Sequence, residues 1–363
     1  MKDTLIKIRN QTLHFFYVHF YKRLFFCFDP EKVHNTCVRL GLILGLSPLT
    51  RSLSALLFNY SNPMLEQKIH GITFKNPVGL SAGFDKDGYL TDILPTIGFG
   101  FEEIGSITAK PCEGNPGTRL WRHPDRKSIR VYIGLKSEGA KKVAARLQKK
   151  HFRFPVGISI AKTNSPQTCN TEIGVADYLE TFKAFLEIGD YFTVNISCPN
   201  AFGGEPFTDP KKLDALLTEL DKIYTKKPIF LKLPPDLSEK QIDSILTVTR
   251  QHRVHGFIAS NLTKQHSYGK GGMSGKFVEK KANVLIAQLY KKTKGEMTIV
   301  GSGGVFSAED AYEKIRLGAS LIQLITGMIY EGPQVVSEIN LGLVQLLKAD
   351  GYTSISEAVG QKA

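Results

Sequence analysis

From Lys75 onward, eight short apolar runs alternate with amphipathic stretches, and no other feature restricts the fold of this chain as much. The runs begin with Asn76 to Gly83, Phe99 to Ile107, Pro155 to Lys162 and Tyr191 to Ser197. They continue with Pro228 to Leu233, Gly256 to Asn261, Met297 to Gly304 and Ser320 to Gly327. Each has the length of a buried strand. The stretches between them carry helical spacing. Asp209 to Tyr224 is one, with Thr208 as its expected N-cap. A strand-then-helix rhythm repeated eight times predicts an α/β fold, a (β/α)8 TIM-type barrel. A doubly wound open sheet is the alternative. The lack of an early Gly-x-Gly-x-x-Gly turn counts against a dinucleotide-binding version of it.

In a barrel the chemistry sits at the carboxyl ends of the strands. Every expected end here is polar: Asp85-Lys86, Ser106, Lys162, Asn195 to Asn200, Lys232, Asn261, Gly301 to Gly304 and Thr326-Gly327. One polar end means little, since strand ends face water; eight together point to a site. The Gly-Ser-Gly-Gly after the seventh run and the Thr-Gly after the eighth stand where barrels commonly hold a phosphate. Glycines let backbone N–H groups close on the oxygens, and the next helix adds its dipole. A phosphate-bearing ligand is therefore expected.

Val194 to Asn200 reads Val-Asn-Ile-Ser-Cys-Pro-Asn, a strand that ends by presenting a thiol between two amides. A free thiol titrates at about 8.5, so Cys198 can serve as nucleophile or general base. Asn195 and Asn200 offer donors and acceptors that suit a planar ring bearing carbonyl and N–H groups, such as a pyrimidine. Lys86 could hold a carboxylate or carbonyl of that ligand. Lys232 interrupts an apolar strand and would place an ammonium in the barrel mouth, where it stabilises negative charge on an electron-rich ring. Singly, Lys232 could be a structural charge and Asn195 a satisfied core amide. Together these residues describe a redox cofactor site with a proton-abstracting thiol.

The chain has 363 residues and a net charge of +13. Such a charge fits a solvated basic surface, an anionic small molecule, nucleic acid or an anionic membrane. No arginine-rich run or nucleic-acid motif is present, so nucleic acid is not expected. Cys27, Cys37, Cys112, Cys169 and Cys198 are scattered without Cys-x-x-Cys pairs. That argues against a disulfide framework and against a structural metal, and fits a reducing cytoplasm.

Phe15 to Phe28 is mostly Phe and Tyr, but His19, Lys22 and Arg23 interrupt it. The run is too broken for an ordinary transmembrane helix and makes a poor signal peptide. Aromatics mixed with basic residues suit a membrane interface. Val38 to Tyr60 is leucine-rich and broken at Ser47-Pro48, which predicts two short amphipathic helices joined at the proline. Residues 1–60 thus read as a basic, apolar helical foot on an anionic membrane surface, with a helical cap on the main domain as the other reading. The expected organisation is this module, a barrel over 61–350 and a tail over 351–363.

Taken in order, the motifs resemble the class 2 dihydroorotate dehydrogenases, which are quinone-linked and membrane-associated. The resemblance runs from about residue 29 to 345. It is carried by Asp29 to His34, by Asn76 to Gly88 with Lys86, and by the block Gly98 to Arg122. The segments containing Cys198, Lys232, Asn261, Gly275, Gly303-Gly304 and Thr326 follow in family order. The resemblance implies FMN held by Ala82, Gly83, Ser106, Ser159, Asn195 and Lys232 on one side. Ser260, Gly275, Gly303, Gly304 and Thr326 would complete its site. Lys86, Asn195, Asn200 and Asn261 would contact dihydroorotate. Cys198 would remove the C5 proton while the C6 hydride passes to the flavin, giving orotate for pyrimidine biosynthesis. Electrons would leave to a membrane quinone in a tunnel marked by Arg122. Asn200 to Phe207 would be the mobile lid over the thiol. The implied location is the cytoplasmic face of the inner membrane, as a peripheral protein.

The chain departs from the family pattern at several positions. Cys198 stands where class 2 enzymes usually carry serine, which implies a different pH dependence. Val131 replaces an asparagine expected to touch orotate, with Lys136 or Ser137 as candidates to compensate. Leu262 stands for a threonine, Ser159 for an asparagine and Ile325 for a tyrosine reaching towards the quinone. Other readings are therefore the same half-reaction with a non-quinone acceptor, an FMN oxidoreductase acting on another dihydropyrimidine, and a non-catalytic FMN- or phosphate-binding membrane protein. A thiol between amides speaks against the last.

Overall fold

The computed structural model describes residues 2–363. Eight parallel strands close into a barrel, and each falls inside one of the eight expected runs. They are β1 (Val78–Leu80), β2 (Phe101–Ile107), β3 (Val156–Ile160) and β4 (Tyr191–Asn195). The others are β5 (Ile229–Leu233), β6 (Gly256–Ala259), β7 (Thr298–Ser302) and β8 (Leu321–Leu324). Neighbours in sequence pair in space, and β8 pairs with β1 to complete the ring.

The barrel interior is layered. Phe101, Tyr191, Phe230 and Leu321 join Ile258 and Val300 in an apolar layer at the amino-terminal end. Phe74, from the hairpin Gln67–Ile69 and Ile72–Phe74, meets Phe101 edge-on at 5.4 Å and closes the floor. The rings fit because glycine faces them. A Cβ on Gly79 would lie 2.3 Å from the Phe101 ring, and one on Gly157 2.1 Å from that of Tyr191. Burying each such side chain contributes about 2–3 kcal/mol. Side chains alternate along a strand. Two residues beyond the apolar layer, the same four strands therefore place Glu103, Thr193, Lys232 and Gln323 in the interior, and all four are buried.

Strands from the loops after β2 and β6 form a second, antiparallel sheet of Leu120–His123, Ser128–Val131 and Gly272–Gly275. No periodic signal in the sequence announces it. The helix expected over Asp209 to Tyr224 spans Pro210–Asp221, and its cap is Asp209, not Thr208. Pro210 presets the first helical turn, and the Asp209 carboxylate accepts from the N–H groups of Lys211 and Lys212 at 3.1 Å. Thr208 instead donates its hydroxyl to the Glu205 carbonyl.

The amino-terminal region is helical almost throughout. Helix α1 (Lys2–Phe16) continues through a π-turn at Tyr17–Tyr21 into α2 (Lys22–Phe26). Helices α3 (Pro30–Leu46) and α4 (Pro48–Phe58) follow, bent by 114° at Ser47. The expected break at the proline is there, but the first of the two helices is longer than expected. Asp29 caps it at the Lys32 N–H (2.9 Å), so it starts at Pro30.

Arg9 and Asn10 fix α1 to the barrel by donating to Ser337 Oγ, on the C-terminal helix Val335–Ala349, at 2.8 and 3.1 Å. Among the described residues no helix is long and apolar enough to cross a membrane alone. Among the described residues, of nineteen large apolar side chains left exposed, fifteen lie between Leu5 and Leu57. These helices therefore pack one face on the barrel and leave an apolar face uncovered.

Candidate active site

The carboxyl ends of the strands surround an open cleft. Ala82, Lys232, Ser260, Gly275, Gly303, Gly304 and Thr326 all line it, together with Ser81, Asn261, Leu262 and Gln323. Its β7–β8 side is built for a group that approaches backbone closely. Gly303 and Gly304 have φ of +104° and +81°, the left-handed region that favours glycine. A Cβ on Gly304 would sit 2.4 Å from Glu279 Cβ, and one on Gly275 2.4 Å from the Lys127 carbonyl. From β5, Lys232 donates from Nζ to Ser81 Oγ at 3.1 Å. The buried carbonyl oxygen of Gln323 has no protein partner. A glycine cradle for phosphate, a buried ammonium and an unsatisfied acceptor fit a flavin mononucleotide.

Ser106, Ser159 and Asn195 lie beside the cleft and join it to the thiol. Ser159 and Ser106 share a hydrogen bond of 2.8 Å, and Asn195 Nδ2 donates to Ser106 Oγ at 2.8 Å. Asn195 Oδ1 accepts from Ser197 Oγ (2.8 Å), and Asn261 Nδ2 donates to the Ser197 carbonyl (2.8 Å). One polar seam thus runs across the ends of β3, β2, β4 and β6. Gly83 sits at its edge, its N–H donating to the Gly105 carbonyl at 2.7 Å.

Cys198 lies at the end of that seam, in a small cavity with Leu135, Lys162, Asn195 and Phe207. Burial pushes its thiol up to about 11, against the Asn200 N–H that favours the thiolate. The Glu205 charge adds to the rise, and Lys162 and Lys264 oppose it. Cys198 is therefore a thiol at neutral pH, as a free cysteine mostly is, and burial keeps it protonated well beyond the pH at which a free cysteine ionises.

The segment Asn200 to Phe207 covers the thiol and is tied down by polar side chains. Lys162 Nζ donates to the Phe202 carbonyl at 2.8 Å, and Asn164 Oδ1 accepts from the Phe202 N–H at 2.7 Å. Asn115 Nδ2 holds the Asn200 carbonyl at 2.9 Å. Asn200 Nδ2 in turn donates to the Val131 carbonyl at 2.8 Å. Val131 thus keeps a polar tie through its backbone, though its side chain offers none.

Lys86 is placed differently from its neighbours in the motif. Its ammonium meets His34 Nε2, on α3, at 3.1 Å. Burial lowers His34 to about 3, so the ring is neutral and accepts. Burial also lowers Lys86 to about 8, with Asp87 and Glu31 supporting its charge and Lys136 opposing it. The Ser137 hydroxyl accepts from the Gly139 N–H at 3.1 Å within a turn, which leaves its O–H as a donor. Arg122 faces the foot, donating to the Phe28 carbonyl at 2.9 Å with its guanidinium 4.5 Å over the Phe26 ring. Glu31 and Arg119 form a two-pronged ion pair beside it, at 2.7 and 2.8 Å.

Five participants were not singled out from the sequence: Ser81, Glu103, Asn115, Asn164 and Gln323. Gln323 and Glu103 do carry a signal, a polar residue inside an apolar strand, the same signal that exposed Lys232. Asn115 sits in an irregular loop with no periodicity to mark it.

A closed parallel barrel with a phosphate-type glycine cradle, a buried ammonium and a seam-linked thiol at its mouth defines an oxidoreductase. Residues 64–347 match the family model for dihydroorotate dehydrogenase, and the chain belongs to that family. It is 38% identical over 346 residues to the dihydroorotate dehydrogenase (quinone) of Sulfurovum sp. (strain NBC37-1), covering 93% of this chain and 96% of the relative. It is 38% identical over 363 residues to that of Acaryochloris marina (strain MBIC 11017), covering 92% and 95%. Among solved structures it is similar to the Eimeria tenella enzyme in complex with ferulenol. The TM-score is 0.83 and the identity 30%, covering 92% of this chain and 95% of that one.

Proposed function

We propose that this protein oxidises dihydroorotate to orotate with FMN in the cleft and delivers the electrons to a membrane quinone, the redox step of pyrimidine biosynthesis. The polar seam from Ser159 to Asn261 carries the reading, because it joins the thiol pocket to the cofactor cleft without a break. Cys198, as thiolate, takes the proton from C5. Asn195, Asn200 and Asn261 hold the ring's carbonyl and N–H edges. Lys86, with Lys136 near it, neutralises the carboxylate. Bound FMN would supply the hydride acceptor for C6. Lys232 would offset the negative charge that gathers on the ring above it. Gly303, Gly304, Gly275 and Thr326 would hold the phosphate. The lid, tied by Lys162 and Asn164, keeps water from the thiol.

The foot supports the quinone half. Its uncovered leucines and aromatics, with Lys22, Arg23 and Arg39 among them, suit the surface of an anionic bilayer. Arg122 would stand at the inner end of the quinone path. The protein would then be peripheral on the cytoplasmic face of the inner membrane. Leu46 and Leu56 are 70% and 72% exposed, so glutamate at both leaves the packed face untouched. The expected result for Leu46→Glu/Leu56→Glu is loss of flotation with anionic vesicles and loss of long-chain quinone reduction. Flavin content and dihydroorotate oxidation with a soluble dye would persist. Unchanged flotation and quinone turnover would count against the foot. Leu262 on the cleft wall, where the family has a polar residue, favours one second reading, another dihydropyrimidine as substrate.

A further inference from the structure

Glu103 has no role in the chemistry above, yet it is a fully buried carboxylate under the cleft. Its Oε2 accepts from Thr193 Oγ1 and from Gln323 Nε2, both at 3.0 Å. These two neutral donors, from β4 and β8, orient the group. Oε1 is left with no hydrogen bond and faces Lys232 Nζ at 3.9 Å. That separation is too long for a hydrogen bond but short for an ion pair at low dielectric. Lys232 is 4% exposed and reaches upward to Ser81 Oγ. The ammonium therefore lies between the carboxylate below and the cleft above.

An ammonium buried this deeply costs several kcal/mol unless paired, and the usual outcome is loss of its proton. The charged or titratable groups that act on it are Glu103 from β2 and Cys198 beyond β4. Cys198 is an uncharged thiol at neutrality, which leaves Glu103 as the counter-charge. The Tyr191 hydroxyl, near Glu103, is also uncharged, since burial raises it well above its ordinary range.

We propose that Glu103 is a positioning residue that keeps Lys232 protonated and thereby sets the reduction potential of the flavin held above it. The proposal rests on the reading that a flavin fills the cleft. It does not depend on which dihydropyrimidine is the substrate. Burial lowers Lys232 even with Glu103 in place; the carboxylate limits that fall and moderates the pull of the ammonium on the reduced ring.

The test is a dye-equilibrated redox titration of the flavin-loaded full chain between about pH 6 and 10, spanning the range where a buried lysine titrates. In Glu103→Gln the lysine loses its counter-charge. At low pH the bare ammonium raises the potential above wild type. At high pH the lysine gives up its proton and the potential falls below wild type. A break in potential against pH that lies at lower pH than any in wild type is the expected result. Lys232→Met should lower the potential without a break, and Glu103→Gln added to it should introduce none. A Glu103→Gln line that runs parallel to wild type, with no break at lower pH, overturns the proposal.

Should Glu103→Gln fold poorly, thermal denaturation of the double variant Glu103→Gln/Lys232→Met decides. Recovery of the melting temperature above that of Glu103→Gln alone is expected for a pair; losses that simply add would overturn it. No dihydroorotate enters either measurement. A wild-type protein whose flavin is not reduced by dihydroorotate would count against the proposed substrate and leave this inference standing.

Discussion

The barrel interior holds two layers only two residues apart on the same four strands, and they do opposite work. Phe101, Tyr191, Phe230 and Leu321 are apolar, interlocked with glycines and closed off by Phe74. Glu103, Thr193, Lys232 and Gln323 are equally buried but polar, and three of their atoms lack a full set of partners or reach into the cleft. The lower layer is apolar apart from the Tyr191 hydroxyl, which is buried without a hydrogen-bond partner, and its packing makes the barrel stable. The upper layer is incomplete without a ligand. The step from one to the other is where the fold ends and the site begins.

The contrast can be broken from below with the largest effect. Phe101→Ala should cost about 3–5 kcal/mol, read as a melting temperature lowered by roughly 10 °C, while any folded fraction still holds flavin. Replacing the upper pair together, Glu103→Gln with Lys232→Met, should change stability by only about 1–2 kcal/mol, because it removes two buried charges at once. It should still slow substrate reduction of the flavin about 10²-fold. Equal losses of stability from both changes would erase the distinction between the layers.

A pH profile sharpens it next. The reactive form of Cys198 is the thiolate, and burial raises the thiol to about 11. The rate of flavin reduction should therefore rise about tenfold per pH unit between about pH 6 and 9, with no plateau at the ordinary thiol value of about 8.5. A plateau near 8.5 in stopped-flow traces would show a thiol that is not buried during the reaction. The smallest effect belongs to the lid. Asn164→Ala should cost about 1 kcal/mol of closure, seen as faster proteolysis within 200–207 at little change in melting temperature.

The barrel was legible because strand-length runs and helical stretches alternate eight times with few interruptions, and polar strand ends then marked the mouth. The wall of the cleft was legible for a related reason: Lys232 and the Gly303-Gly304 pair, which line it, stand out against apolar strands. What escaped was set by tertiary contact. The cap at Asp209 outranks Thr208 because Pro210 fixes where the helix starts. The small sheet of Ser128–Val131 with Gly272–Gly275 joins segments from two distant loops, which no local period records. The rise of Cys198 comes from burial in the folded chain, a property that the tripeptide around it does not carry. The meeting of Lys86 with His34 likewise needs α3 docked on the mouth.

The most direct test is anaerobic mixing of dihydroorotate with the flavin-loaded full chain, following the visible flavin absorbance in wild type and Cys198→Ala. Rapid bleaching in wild type, slowed by about 10²–10⁴ in Cys198→Ala, is the expected result. No bleaching in a protein that holds its flavin, or equal bleaching in both, would contradict a dihydroorotate site built on this thiol.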